Sequence, residues 1–197
     1  NAGDAEIKGA EFSVQARLTD RVDGSFGVSY NDAKYTDAKI DSFKNLPSFS
    51  PEGDVAGNEM LRASPWQLAA SLGYRAPVRD SVDWYVRGDL SYRDKQFADA
   101  TNQAILPDQT KLNMQLGLSG DKWTVELWGR NLTNEDSPSA AYRDVYFTNV
   151  LPDGTFYRTP AGVTPAGSGG KSTFFPWRYS VSYPTLREYG ITARYRF

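Results

Sequence analysis

At 197 residues, without a single Cys or His, the chain has no disulfide framework, no thiol chemistry, no His-dependent acid–base catalysis and no ordinary zinc site. A net charge of −2 with no charge run or basic stripe gives no electrostatic reason to bind nucleic acid. Mean hydropathy is −0.56 and no continuous apolar run approaches about 18 residues, which excludes a membrane-spanning helix but not a membrane barrel, whose strands alternate apolar and polar residues.

The opening NAGDAEIKG has no charged segment followed by an apolar core, so it is not a signal peptide, and an exported protein is expected to be seen here as a mature or internal piece. Residues 10–19 alternate strictly: Phe12, Val14 and Leu18 fall on one face, Ser13, Gln15 and Arg17 on the other. This predicts a first strand starting nearer Ala5, then a short turn carrying Asp20, Asp23 and Gly24. A second strand over 25–35 turns Phe26, Val28 and Tyr30 outward. Residues 36–62, polar and interrupted by Pro47, Pro51, Gly53 and Gly57, read as a long surface loop.

Alternation returns at Trp66, with Leu68, Ala70, Leu72 and Tyr74 on one face. The short turn APVRDS leads to a fourth strand, 82–93, and a medium loop over 96–109 to a fifth, which carries Leu112, Met114, Leu116 and Leu118. Ser119, Gly120, Asp121 and Lys122 turn the chain into a sixth strand, 123–130. After Asn131 the longest irregular stretch runs to about Pro184. The last strand, LREYGITARYRF, sets Tyr189, Ile191, Ala193, Tyr195 and Phe197 against Glu188, Gly190, Thr192, Arg194 and Arg196. Aromatics at both ends of an apolar face are the pattern of a strand with interfacial girdles.

The fold class is all-β: an antiparallel transmembrane β-barrel portion of about seven strands, joined by alternating short and long connections. A β-sandwich also alternates and turns tightly, but its strands average about 5–6 residues, and these are about twice that. Seven is odd. With the last strand descending to the short-turn side, the first descends too, and Asn1 is expected on the long-loop side.

Three stretches resemble TonB-dependent outer-membrane receptors. REYGITARYRF is similar to their closing strand, WTVELWGRNLTNE (residues 123–135) to the penultimate strand with its exit, and NAGDAEIKGAE to the opening of a strand further upstream. The resemblance implies that residues 1–197 are the C-terminal portion of a barrel of about 22 strands, with the plug domain absent from this chain. It implies a wall and external loops for uptake of a scarce siderophore, vitamin or saccharide. It further implies a Gram-negative outer-membrane location, contact with outer-membrane lipid, coupling to the TonB complex through the plug, and an assembly signal at Tyr189, Gly190, Ile191, Tyr195 and Phe197 read by the barrel-assembly machinery. The alternatives are a small structural or adhesive outer-membrane barrel without energised transport, and a soluble carbohydrate-binding β-sandwich.

No cofactor, metal or catalytic group is expected. Gly169, Gly170, Lys171 and Ser172 lack the phosphate-loop spacing, since Pro165 stands where a glycine is needed. Asn131, Leu132 and Thr133 match a glycosylation sequon, yet Asn131 is expected to bond backbone where strand gives way to loop. Glu135 and Asp136 read as solvated loop charge. In the last loop aromatics stand beside Arg, and Tyr142, Arg143, Tyr157, Arg158, Trp177 and Arg178 are the candidate ligand contacts, by stacking and bidentate bonding. The Asp153-Gly154 pair between VYFTNV and TFYRT predicts strands prolonged above the membrane. On the inner face, Glu126 and Arg194 are expected to approach each other, among Arg17, Arg75, Arg87 and Arg93.

The alternation makes an asymmetric prediction. Leu116→Arg is expected to cost roughly 2–4 kcal/mol in denaturant unfolding from lipid vesicles, and Gln115→Arg far less; equal costs would remove the argument for a membrane wall.

Overall fold

The computed structural model describes residues 3–43, 50–145 and 177–197. In chain order the strands are β1 (Gly3–Thr19), β2 (Val22–Ala38), β3 (Trp66–Arg79), β4 (Val82–Arg93), β5 (Gln96–Phe97), β6 (Ile105–Leu106), β7 (Gln109–Gly120), β8 (Trp123–Arg130), β9 (Ala140–Val145), β10 (Trp177–Ser182) and β11 (Glu188–Tyr195), with a short 3₁₀ turn at Asp41–Phe43. Seven of them form one antiparallel sheet in the order β1-β2-β3-β4-β7-β8-β11. Two small ladders, β5-β6 and β9-β10, stand on its rim. Among the described residues no helix is long and apolar enough to cross a membrane, which says nothing about crossing by strands.

The register carries the alternation across the whole sheet. Tyr74, Val86, Leu116, Leu127 and Ile191 are successive cross-strand partners, so they form one continuous outward row. Phe12, Leu72, Leu116, Leu127 and Ile191 are all exposed, Ile191 to 72%. An exposed apolar surface this continuous would drive association in water and is matched to lipid. Rings bound it: Tyr30 packs on Trp66 at 4.8 Å, Tyr74 on Trp84 at 5.2 Å, and Tyr195 edge-on to Phe197 at 5.3 Å.

The inner face is polar and bonded laterally. Arg87 reaches Ser71 Oγ (2.8 Å), Asp89 (3.2 Å) and Asp23 (3.4 Å), and Arg75 pairs with Asp83 at 3.6 Å while lying over the Tyr85 ring. Glu126 and Arg194 are on this same face, because their partners Thr192 and Thr124 are. The carboxylate of Glu126 also accepts a 2.6 Å bond from the Tyr85 hydroxyl, so Tyr85, two strands away, is a further partner that alternation alone does not show. Glycines make room for these large inner groups. A Cβ on Gly117 would come within 2.5 Å of the Tyr85 ring, and one on Gly190 would collide with the Trp128 indole, whose Nε1 donates to Thr192 Oγ1 at 3.1 Å.

Several expected boundaries move. The turns at residues 20–21, 80–81 and 121–122 are two residues long, so Asp23 and Gly24 belong to β2, Ala76 and Pro77 to β3, and Ser119 and Gly120 to β7. Turn-forming residue types were read there where the ladder simply continues through them; Thr19 Oγ1 receives the Arg21 and Val22 amides and closes the first hairpin early. All three turns share the rim where the Arg196 amide bonds Lys122 O, and Gly3 pairs with Ala38 at the opposite, long-loop rim, as strand parity requires.

The fit of Trp128 over Gly190 is testable. Gly190→Ala is expected to destabilise the folded protein by about 1–3 kcal/mol, and the loss should shrink in a Trp128→Ala background; an undiminished loss would mean that the two positions act independently.

Candidate functional site

The long-loop rim is built from three connections that pack on one another. In the first, residues 39–65, β2 runs on to Ala38, and the chain folds back so that the backbone of Lys39 pairs with that of Asp54, and that of Lys34 with that of Glu59, as isolated antiparallel β-bridges. Val55 is fully buried among Ala38, Phe43 and Ala100, with Tyr35 and Ile40 packed alongside. The described part of the expected polar surface loop is thus a folded cap with its own apolar centre, a correction whose cause is the VAG segment: Val55 has no face to alternate with, yet folds under its own loop. The Lys39 ammonium bonds Glu52 at 2.5 Å, and that hydrogen bond, with the carboxylate charge, raises the ammonium pKa above its ordinary value.

The second connection carries β5 and β6. Asn58 Nδ2 donates to Ala100 O (2.8 Å), the Glu59 amide to Asn102 Oδ1 (2.7 Å), Asn102 Nδ2 to Glu59 O (2.9 Å), and the Arg62 amide to Phe97 O (2.9 Å). Asn102 holds a left-handed backbone (φ 56°), a conformation that asparagine tolerates better than most residues. Its turn is closed by Asp99 Oδ1, which accepts from the amide and hydroxyl of Thr101.

The third connection rises as the β9-β10 ladder. Ala141 packs with Ala98 and Leu106, and the Tyr179 hydroxyl donates to Asp99 Oδ2 at 2.7 Å. One buried carboxylate therefore ties the second connection to the third.

At the base of that third connection the sequence RNLTNE folds into a knot centred on Asn131. Its own amide donates to Asn113 Oδ1 (2.9 Å), its Nδ2 to Glu135 O (2.9 Å) and Thr185 O (3.0 Å), and its Oδ1 accepts from the Glu135 amide (2.8 Å) and the Thr133 hydroxyl (3.2 Å). Asn131 is buried and left-handed (φ 49°), in keeping with its expected structural role. Glu135 departs from expectation. It is no solvated charge: its carboxylate accepts the amides of Thr110 (3.0 Å) and Ser137 (2.9 Å), which join the start of β7 to the strand exit. Burial pushes this carboxyl up, but the bonds from Ser137 and Thr110 and the charge of Lys111 outweigh it and hold the pKa below its ordinary value. The signal lay in the spacing, since Thr133 and Glu135 both fall within reach of the backbone that Asn131 turns.

Of the candidate ligand contacts, Tyr142, Arg143, Trp177 and Arg178 come onto the single β9-β10 ladder, where Tyr142 pairs with Ser180, Arg143 with Tyr179, Arg178 with Asp144 and Trp177 with Val145. Tyr142 is exposed. Tyr157, Arg158 and the Asp153-Gly154 turn lie outside the described residues. Tyr189, Ile191, Tyr195 and Phe197 line the outer face, whereas Gly190 faces inward beneath Trp128. Among the described residues no group of His, Cys, Asp or Glu is placed to hold a metal ion.

Comparison with known proteins gives a consistent result. A family described as TonB dependent receptor-like, beta-barrel matches residues 1–132. The ferric yersiniabactin uptake receptor FyuA from Yersinia pestis is similar in structure (TM-score 0.67, 15% identity) over 100% of this chain and 24% of its own. BauA, the ferric preacinetobactin receptor from Acinetobacter baumannii, is similar over 97% of this chain and 22% of its own (TM-score 0.62, 16% identity). The siderophore receptor PiuA from the same organism is similar over 71% and 19% (TM-score 0.57, 18% identity). This chain therefore spans about a quarter or less of the length of these structures. No curated protein matches the sequence.

The knot yields two predictions. Asn131→Ala, which removes four side-chain hydrogen bonds at a left-handed position, is expected to destabilise the loop base by about 2–4 kcal/mol, read as faster proteolytic cleavage of the last loop. Because the Glu135 pKa is depressed in the folded state, its contribution is present above the ordinary carboxyl value of 4.5 and is lost as pH falls through the folded value. The protection of the native protein over Glu135→Gln should therefore be full above about pH 4.5 and shrink as pH falls, read as the ratio of the two pepsin cleavage rates at each pH, in which the protease's own pH dependence cancels.

Proposed function

The chain belongs to the TonB-dependent receptor-like β-barrel family, and from that premise we propose that it forms part of the wall and the external loops of an outer-membrane receptor that takes up a scarce small ligand. The family is one of receptors, not enzymes. One observation carries the reading: every two-residue turn lies on one rim, while the packed cap, the β5-β6 hairpin and the aromatic β9-β10 ladder gather on the other. A simple structural wall has no need of such a one-sided, internally bonded superstructure.

In this reading the long-loop rim is external. Tyr142, Arg143, Trp177 and Arg178, with Tyr157 and Arg158, contact the ligand. Aromatic faces stack on flat or ring-bearing groups, and guanidinium forks hold carboxylate or similar anions. The similar structures are named as receptors for siderophores, which favours a ferric chelate over a vitamin or saccharide here. The sheet's two flanking strands, β1 and β11, each have one partner among the described residues. An open edge is not stable in hydrocarbon, so the wall continues in barrel strands outside this sequence. TonB acts through a plug that is likewise outside it. The outward residues of β11 and the inward Gly190 present the assembly signal to the barrel-assembly machinery.

Uptake in a Gram-negative host tests this directly. Cells making the complete receptor, offered a panel of radiolabelled ferric siderophores, should accumulate at least one only when TonB is present. Replacing Tyr142, Trp177 and Arg178 together by Ala should lower its affinity about tenfold or more, equivalent to about 1.4 kcal/mol. Accumulation that ignores TonB would overturn the transport reading; TonB-dependent uptake untouched by the triple substitution would move the ligand site elsewhere.

A further inference from the structure

The outward face is not uniformly filled. One cross-strand row runs Leu72, Gly88, Met114, Gly129 and Tyr189. Its two glycines leave the wall without side chains on either side of Met114, and a Cβ built on Gly88 would meet nothing within 4 Å. Beside this row, with Gly129 in its wall, lies an outward recess of about 590 Å³ lined mainly by Val86, Met114, Leu116, Leu127 and Ile191, with Tyr189 and Leu132 above. Leu132 folds down over Gly129, so that a Cβ there would stand 2.6 Å from its Cδ2. The hollow is thereby closed on the long-loop side and open outward.

A cation stands at that closed end. The Arg187 guanidinium lies 6.0 Å from the centre of the Tyr189 ring, and the Arg187 backbone amide bonds Asn134 Oδ1 at 3.4 Å, tying its position to the strand-exit knot. Apolar walls below and a guanidinium above match an amphiphile whose anionic head is at the long-loop rim and whose chain points toward the midplane. A detached anion would leave the recess empty. A second protein surface would have to insert side chains between Gly88 and Gly129 while facing a cation. We propose that this recess seats one acyl chain of a phosphate-bearing lipid from the leaflet on the long-loop side, with Arg187 on the phosphate.

The inference rests on the outward face meeting lipid, and the experiment separates the two. The purified complete receptor, reconstituted in phosphatidylcholine, is given trace phosphatidylglycerol bearing a diazirine in its acyl chain. After photolysis the labelled peptides are mapped. Labelling anywhere along the outward rows reports the membrane reading. The seat predicts more: saturable labelling concentrated on Met114 and Leu127, at least tenfold weaker in Val86→Trp, which extends into the hollow from its lining with a residue that the lipid-facing side accepts, and unchanged in Ala70→Leu on the same face outside the recess. Arg187→Gln should remove the preference over a diazirine phosphatidylcholine. Heat-modifiable migration on gels confirms that each variant is folded. Uniform labelling indifferent to Val86→Trp would overturn the seat while leaving the membrane wall intact. No labelling of any outward row would overturn both.

Discussion

A backbone N–H or C=O inside hydrocarbon has no water to bond, so each must find its partner within the protein. That requirement makes the strands long, pairs them continuously from β1 to β11, and pushes every irregular segment to a rim. It also explains the turns. Thr19 Oγ1 takes the two amides that the first hairpin would leave unpaired, and the chain reverses in two residues. At the other rim the problem is larger, because a strand must stop and hand its register to a loop. Asn131 meets it by supplying both donor and acceptor to the backbone where β8 ends, and Glu135 and Thr133 extend the same service to the start of β7.

The consequence is a rim that behaves as one packed body. Val55 anchors the first connection, the Asn58–Ala100 and Asn102–Glu59 bonds join it to the second, and Asp99–Tyr179 joins the second to the third. The β9-β10 ladder, which carries the proposed ligand contacts, is therefore a braced platform and not a free loop. Preorganisation of this kind reduces the ordering cost of binding.

The wall was legible in the sequence because period-two alternation is a local signal. Phe12, Val14 and Leu18, or Trp123, Val125 and Leu127, declare their face without reference to any other strand, and the register of β8 against β11 follows from parity. The turns were less legible: Asp, Gly and Pro at residues 23–24, 77 and 120 look like breakers, and only the neighbouring strand shows that they remain in the ladder. Least legible was the cap. Val55, Asn58 and Asn102 are scattered through breaker-rich segments, and their roles depend on contacts between connections more than forty residues apart. Tyr85 as a partner of Glu126 was hidden for the same reason, since it reaches from β4 across the intervening β7, while the shared face of Glu126 and Arg194 was readable from alternation. Asn131 was readable because a capping asparagine acts on backbone close by.

The central claim is that one face of this sheet meets lipid and the other an aqueous interior. These 197 residues contain no cysteine, so single spin labels can be placed at each position of β11 from 189 to 195 in a receptor whose remaining cysteines, if any, are replaced by serine, within outer-membrane vesicles. Collision rates with oxygen, which partitions into lipid, should peak at positions 189, 191, 193 and 195, and those with a water-soluble nickel chelate at 190, 192 and 194. Rates that fail to alternate, or that alternate in the opposite phase, would contradict the account.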